Sequence, residues 1–268
     1  MQLDDRMKLY EKIETDRYLI PTLPILARMD GRAFHTFTAD MPRPYSEGFM
    51  RLMQATTKWL IEETNAVCGY CQSDEITLTW HSPDIESQIF FNGKLHKMVS
   101  QLAALTTVYF NDRLLDFLDI KYKKRLPTFD ARVWNVPTLE EGVNSFVWRE
   151  LDATRNSLQM AAYAHFSQKQ LYKKNTSEMH EMLFKEKGIN WNDYPDDFKR
   201  GAYFQKKIAQ IPYSTEEIER LPLKHEARSN PNLLVKRSVY RQIKMPPILR
   251  VENRVEVIYR GEDPILKI

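Results

Sequence analysis

Cysteine is nearly absent from this sequence, with two residues in 268, too few for a disulfide framework. Their spacing, Cys68-x-x-Cys71, suggests metal or redox chemistry, but the second pair that a structural zinc site needs is missing. The flanking residues also read as a strand, in which positions three apart point to opposite faces. Long apolar runs are absent too: no stretch approaches the ~20 residues that span a bilayer. The opening Met1-Gln2-Leu3-Asp4-Asp5-Arg6 is not built like a signal peptide. No membrane partner is therefore expected, and the expected compartment is the cytoplasm. Nor is there a large charge of either sign. A net charge of +3 and a pI near 8.6 permit RNA binding without requiring it, because a local basic patch matters more than the sum. There is no internal repeat and no low-complexity tract.

What remains is an ordinary folded composition, 43% hydrophobic and 28% charged, long enough for one elaborated domain or one domain with an extension. Leu23 to Met29 reads as a short strand running into an Asp30-Gly31 turn. Ser46 is placed to cap a helix reaching about Glu63, with Phe49, Leu52, Met53, Thr56, Leu60 and Ile61 at helical spacing. Two strands follow, Ala66 to Cys71 and Ile76 to Trp80, joined by a tight turn carrying Ser73-Asp74-Glu75. A second amphipathic helix spans about Gly93 to Phe117. The basic segment Lys121 to Arg125 then precedes a fourth strand, Thr128 to Val136. This order, β-α-β-β-α-β, predicts an α+β protein with a ferredoxin-like split-βαβ unit, the palm of many polymerases and nucleotidyl cyclases. Residues 1–136 form that palm. Residues 137–210 read as mostly helical, clearest at Trp148 to Gln170 and Glu178 to Lys187, and complete the core. Residues 211–268 read as a basic, proline-containing extension. From 222 onward it holds Pro231, Pro246, Pro247 and Pro264, and ten basic against five acidic side chains.

In a split-βαβ sheet the first strand lies antiparallel to the third. The end of strand one at Asp30 is then expected beside the start of strand three at Asp74 and Glu75. Two carboxylates meeting on one rim of the sheet suit hard divalent cations, which prefer oxygen ligands, and the Gly31 carbonyl offers a third oxygen. Two such ions stabilise the attacking and leaving oxygens of phosphoryl and nucleotidyl transfer. Gly31 lets the backbone approach a phosphate closely. The amides from Arg32 through Ala33 and Phe34 to His35 can form an anion-binding concavity. Glu75 reads as tuning the site or ligating indirectly; if the strand has already begun at Asp74, period-2 alternation puts Glu75 on the opposite face. Either motif alone also reads as a solvated turn; the pairing at two matching strand ends favours a site. His35 reads as a packing or turn residue or as a base.

These residues bring the chain to a known family. Arg28 to Phe37 matches every fixed position of Arg-x-Asp-Gly-Arg-x-Phe-His-x-Phe, and Tyr70-Cys71-Gln72-Ser73-Asp74-Glu75 matches Tyr-Gly-Gln-Ser-Asp-Glu with cysteine for glycine. Further echoes are Arg43-Pro44, Lys94 and Lys97, Phe129-Asp130-Ala131-Arg132, and Trp148-Arg149 with Asp152. Over roughly residues 20–205 the chain resembles the tRNA-histidine guanylyltransferase superfamily, which adds nucleotides to tRNA 5′ ends in the 3′-to-5′ direction.

The resemblance implies two Mg2+ ions on Asp30, the Gly31 carbonyl and Asp74, with Glu75 counted beside them in the catalytic set. It implies triphosphate contacts from Asp30 to His35 and from Ser73 and Asp74. Arg43, Lys94, Lys97 and Asn156 are expected near phosphates of the nucleotide or the tRNA, although exposed lysines also read as a solvated helix face and Asn156 as a polar one. The partners implied are the tRNA 5′ end and acceptor stem, GTP, ATP and other nucleotide triphosphates, and further copies of the chain in a tetramer. Where eukaryotic members carry His-Ile-Asn-Asn, this chain has Thr154-Arg155-Asn156-Ser157, so it looks like the bacterial and phage branch that repairs truncated 5′ ends by template pairing. Strict recognition of tRNA-His is therefore not expected. A palm-type nucleotidyl cyclase and a non-catalytic RNA-binding scaffold are the competing readings.

Overall fold

Side chains alternate along the first strand, and that alternation divides the molecule into two layers. Ile25, Ala27 and Met29 are fully buried on one face, while Leu26, Arg28 and Asp30 face the other. The computed structural model describes every residue except 85, 87, 231 and 268; Pro231, one of the tail prolines, thus lies outside the described residues. The elements in chain order are α1 (Leu3–Thr15), β1 (Ile25–Gly31), α2 (Phe34–Phe37), α3 (Glu47–Thr64), β2 (Cys68–Gln72), β3 (Glu75–Trp80), α4 (Leu95–Phe117) and β4 (Phe129–Asn135). They continue with α5 (Leu139–Tyr163), α6 (Gln168–Leu171), α7 (Thr176–Lys187), α8 (Asp196–Arg200), β5 (Ala202–Pro212), α9 (Thr215–Arg220), β6 (Leu234–Ile243) and α10 (Arg254–Arg260).

The strands form one sheet, ordered β4-β1-β3-β2-β5-β6, with every neighbouring pair antiparallel. The chain is therefore a mixed α/β protein on a single antiparallel sheet. β1 and β3 are adjacent and antiparallel, as the β-α-β-β-α-β order requires, with Asp30 opposite Glu75. The sheet continues where a helical region was expected. β5 pairs with β2 from Ala202 to Gln205 and then runs on with β6 alone to Pro212, so the boundary drawn after residue 210 falls inside a strand.

One face carries α3 and α4 over a core in which Phe34, Phe37, Phe49, Phe110 and Phe129 interlock, with centroids 4.9–6.3 Å apart. Ser46 caps α3 by accepting from the Phe49 amide, as its position before the apolar spacing predicts. The other face carries α5 and α10 over Leu26, Cys68, Tyr70, Phe146 and Tyr203. α5 starts at Leu139, well before the expected Trp148, because Thr138 caps it and Glu140 and Glu141 complement the amide charge of its first turn.

Cys68 and Cys71 lie in different halves of the core, one on each side of β2. Burial pushes both thiols up, that of Cys71 to about 12, so neither is poised as a thiolate for metal or redox work. Among the described residues no helix is long and apolar enough to cross a membrane.

Phe110 is fully buried where both α2 and β4 meet the α3–α4 layer. Phe110→Ala should cost about 3–5 kcal/mol, read as a lower denaturation midpoint with an unchanged slope in urea.

Candidate active site

The turn between β2 and β3 is two residues long, since Gln72 pairs with Glu75. Ser73 takes the left-handed conformation, φ 52°, that a tight hairpin demands, and Asp74 follows at the rim. The Gly31 amide donates to the Asp74 carbonyl at 3.1 Å, tying the two acidic motifs through their backbones. Asp30, Ser73, Asp74, Glu75, Arg149 and Asn156 line one cleft of about 730 Å³. Five residues singled out in the sequence are thus gathered in one place, with Arg149 added.

The carboxylates are treated unequally. Glu75 is 13% exposed and receives the Arg149 Nε at 2.6 Å, while Arg28 Nε lies 3.8 Å from its other oxygen. Arg149 also donates to Asp152 at 3.0 Å, and Asp152 in turn pairs with Arg155. Burial raises the Glu75 carboxyl, and the two guanidiniums oppose that rise. Glu75 is therefore paired from within the protein and has no oxygen free of a cation. Asp74 has no such partner. Burial raises its carboxyl first, the Ser73 hydroxyl bond lowers it, and the charge of Asp30 raises it again. His35 lies near enough to lower it in turn, but no arginine or lysine pairs with Asp74 among the described residues, so the buried Asp74 beside Asp30 is a place for an added cation.

Gly31 is required by packing. A Cβ there would lie 2.3–2.6 Å from the Phe34 ring, so only glycine lets the turn close over that ring. Phe34 itself is buried among the core aromatics. Its side chain supports the turn from below, leaving its backbone amide as the group that can face an anion. Ala33 is left-handed, φ 56°. Among the described residues the amides of Ala33, Phe34 and His35 donate to nothing, whereas the Arg32 amide is taken by the Thr128 carbonyl at 2.9 Å. Three of the four amides expected to face an anion are free to do so.

Beside the cleft, and sharing Gln72, Ser73 and Met160 with it, is a mostly apolar pocket. Arg43 stands at its wall, and Tyr45 stacks on Phe198 there at 4.7 Å. Lys94 and Lys97 are elsewhere. Thr107 of α4 is bonded to Phe129, which lies opposite Gly31; Lys97 is ten residues nearer the start of that helix, about 15 Å away along it. Lys94 contacts Asp16 and the Tyr18 ring. In one copy of the chain neither lysine shares the cleft. Arg149 and Arg28 as partners of Glu75 were not foreseen; the available signal was Arg28, a lone cation inside an otherwise apolar strand.

Among the described residues no three His, Cys, Asp or Glu side chains converge as a ready-made metal cage. The donors here are two carboxylates and a carbonyl, an all-oxygen set of the kind hard divalent cations take together with water and phosphate oxygens.

Comparison with known proteins gives the family. The Thg1 family model, tRNAHis guanylyltransferase, matches residues 4–137, half of the chain. The tRNA(His) guanylyltransferase of Schizosaccharomyces pombe is 30% identical over 209 residues, covering 73% of this chain and 77% of that one. That of Debaryomyces hansenii is 28% identical over 226 residues, covering 79% and 83%. Among solved structures, a bacterial tRNA(His) guanylyltransferase (Thg1)-like protein in complex with ATP superposes with a TM-score of 0.77 at 30% identity, covering 97% of this chain and 98% of that one. A bacterial Thg1-like protein in complex with GTP gives 0.69 at 28% identity, covering 92% and 94%. The chain belongs to the tRNA(His) guanylyltransferase (Thg1) family and is a nucleotidyltransferase of that family.

Proposed function

We propose that this enzyme adds nucleotides in the 3′-to-5′ direction to the 5′ end of tRNA, in a magnesium-dependent reaction templated by the opposite acceptor strand. The observation that carries the reading is the Asp30–Asp74 pair: Asp74 is buried and feels the charge of Asp30, opposed by that of His35, while the arginines of the cleft go to Glu75 and Asp152. A dense acidic pair beside RNA phosphates is a liability for a mere binding scaffold, and an asset where cations are recruited. The half containing β1, α3, β2, β3, α4 and β4 is read as a ferredoxin-like palm, a reading supported by the strand order β4-β1-β3-β2.

Asp30, the Gly31 carbonyl and Asp74 would hold two Mg2+ ions, whose contribution is charge stabilisation at the attacking and leaving oxygens. The free amides of Ala33, Phe34 and His35, with the Ser73 hydroxyl, receive the triphosphate. The pocket walled by Arg43, Tyr45 and Phe198 fits the nucleotide's base. A 5′-monophosphate end is first activated by ATP or GTP, or a 5′-triphosphate is already present. The 3′-hydroxyl of the incoming nucleotide then attacks the 5′ phosphorus. A new P–O bond forms, the hydroxyl proton is lost, and the nucleoside monophosphate or pyrophosphate leaves. Watson–Crick pairing selects the nucleotide.

The basic segment at 120–125 and the outer part of the β5–β6 arm, with Lys207, Lys236 and Arg237, are assigned to the RNA backbone. The arm extends seven residues past Gln205, about 24 Å. Assembly into a tetramer and action in the cytoplasm complete the reading. Lys94 and Lys97, remote from the cleft of their own chain, then meet RNA phosphates outside it.

The deciding assay offers a tRNA transcript lacking its first nucleotide, magnesium, and each labelled nucleotide triphosphate in turn. Incorporation only of the nucleotide complementary to the opposing base is expected, and Asp30→Ala and Asp74→Ala should abolish it in folded protein. Guanylate addition whatever the opposing base would replace templated repair with tRNA-His identity activity, and cyclisation of a lone nucleotide would replace both.

Asp74 also predicts a pH signature. Its folded carboxyl is raised above 3.8, so the folded chain keeps a proton that the unfolded chain releases, and stability falls as pH rises through that window. Asp74→Asn should therefore raise Tm at pH 7, a gain that fades as pH falls into the ordinary carboxylate range. Magnesium should raise the Tm of the wild type at pH 7 and leave that of Asp74→Asn nearly unmoved.

A further inference from the structure

Trp148 takes no part in the chemistry assigned to the acidic cleft, yet it stands at its edge. It is 54% exposed, while Phe146, two residues earlier on α5, is fully buried. Two guanidiniums lie along its indole: Arg149 Cζ is 4.6 Å and Arg28 Cζ 5.7 Å from the ring centroid. Arg149 is held by hydrogen bonds to Glu75 and Asp152, and Arg28, mostly buried, sits with its Nε 3.8 Å from Glu75. The ring is thus fixed before anything binds, which reduces the entropy lost on binding.

Its position is informative. Arg28 and Asp30 share a face of β1, two residues and about 7 Å apart. On β4, Arg132 and Asp130 are in register with them and more than half exposed at 54% and 57%, so this side of the sheet is open. The pocket that fits the incoming base lies instead beside β2, at Cys71 and Gln72, with β3 between the two. Two flat, base-sized surfaces therefore flank the carboxylate pair, one for each reacting partner.

We propose that Trp148 is a stacking platform for the terminal base at the 5′ end of the acceptor RNA, oriented by Arg28 and Arg149. The proposal rests on the nucleotide-transfer reading and adds to it the place where the acceptor is held. An aromatic face accepts any base, because every base has a π face; that suits an acceptor whose terminal nucleotide varies.

The test uses the full chain, with Trp148→Ala and Trp148→Phe, and a tRNA transcript lacking its first nucleotide. Trp148→Ala should raise KM for the RNA about tenfold and leave KM for the nucleotide triphosphate within about twofold, with Trp148→Phe recovering most of the loss. In a separate arm, the RNA alone should quench the tryptophan fluorescence of the wild type. That quench should be lost in Trp148→Phe, and a nucleotide triphosphate alone should not produce it. A rise in KM for the nucleotide instead of the RNA overturns the platform, as does a quench that survives in Trp148→Phe. Altered sedimentation of Trp148→Ala also overturns it, by making the indole a contact between copies of the chain. A wild type that shows the Trp148-dependent quench but extends no transcript would overturn the transfer reading and leave the platform standing.

Discussion

The antiparallel register of β1 against β3 is the constraint on which the rest depends. It sets Asp30 directly opposite Glu75 and brings Asp74 to the same rim, an arrangement of like charges that cross-strand energetics disfavour. The sheet imposes it because the alternate residues Met29 and Ile76 are fully buried on the other face. A slip of one residue would turn that whole apolar set to the wrong side. Burial of the core thus fixes the positions of carboxylates that would otherwise separate.

Repulsion held in this way has to be relieved, and the chain relieves only part of it. Arg149 and Arg28 converge on Glu75 from a helix and a strand far apart in sequence. Breaking one partner from so buried a pair would cost about 3–5 kcal/mol, so the arginines anchor α5 to the sheet as well as neutralising charge. Among the described residues no arginine or lysine pairs with Asp30 or Asp74; only the charge of His35 acts on Asp74 from a distance. The division separates a carboxylate used for structure from two left available to a ligand. Phe34 provides a second link between core and cleft: the same ring fills the aromatic cluster and excludes any side chain at position 31.

Much of this was readable from the sequence where local pattern and tertiary role coincide. β1, α3, the β2–β3 hairpin, α4 and β4 lie within a few residues of their expected bounds, because each has one apolar stripe facing one core. The Asp30–Asp74 juxtaposition followed from strand order alone. β5 and β6 were not legible. Beyond Lys206, whose amide still reaches the Val67 carbonyl at 2.9 Å, they pair with each other, and the run Lys207-Ile208-Ala209-Gln210 has no fully buried side to impose alternation. The roles of Arg28 and Arg149 were hidden for a different reason: a long-range ion pair leaves no periodic trace. Lys94 and Lys97 matched a pattern of residue types, but the length of α4 carries them away from the rim that the pattern suggested.

The departure from the eukaryotic His-Ile-Asn-Asn segment can be weighed on the same physical terms. Thr154 bonds its own helix at the Glu150 carbonyl, and Ser157 reaches the Lys199 carbonyl of α8; both hydroxyls serve packing. Arg155 is drawn to Asp152. Asn156 alone among the four lines the acidic cleft, within reach of Asp152 at 3.4 Å. The single asparagine that survives is therefore the one facing the reacting groups, and the substitutions around it alter the back and flank of α5. Cys71 behaves alike. It replaces the family's glycine on the α3 face of β2, where burial pushes its thiol up, so its volume adds to the core and its sulfur lies away from the carboxylates. Both departures leave the oxygen donors at the rim as they are.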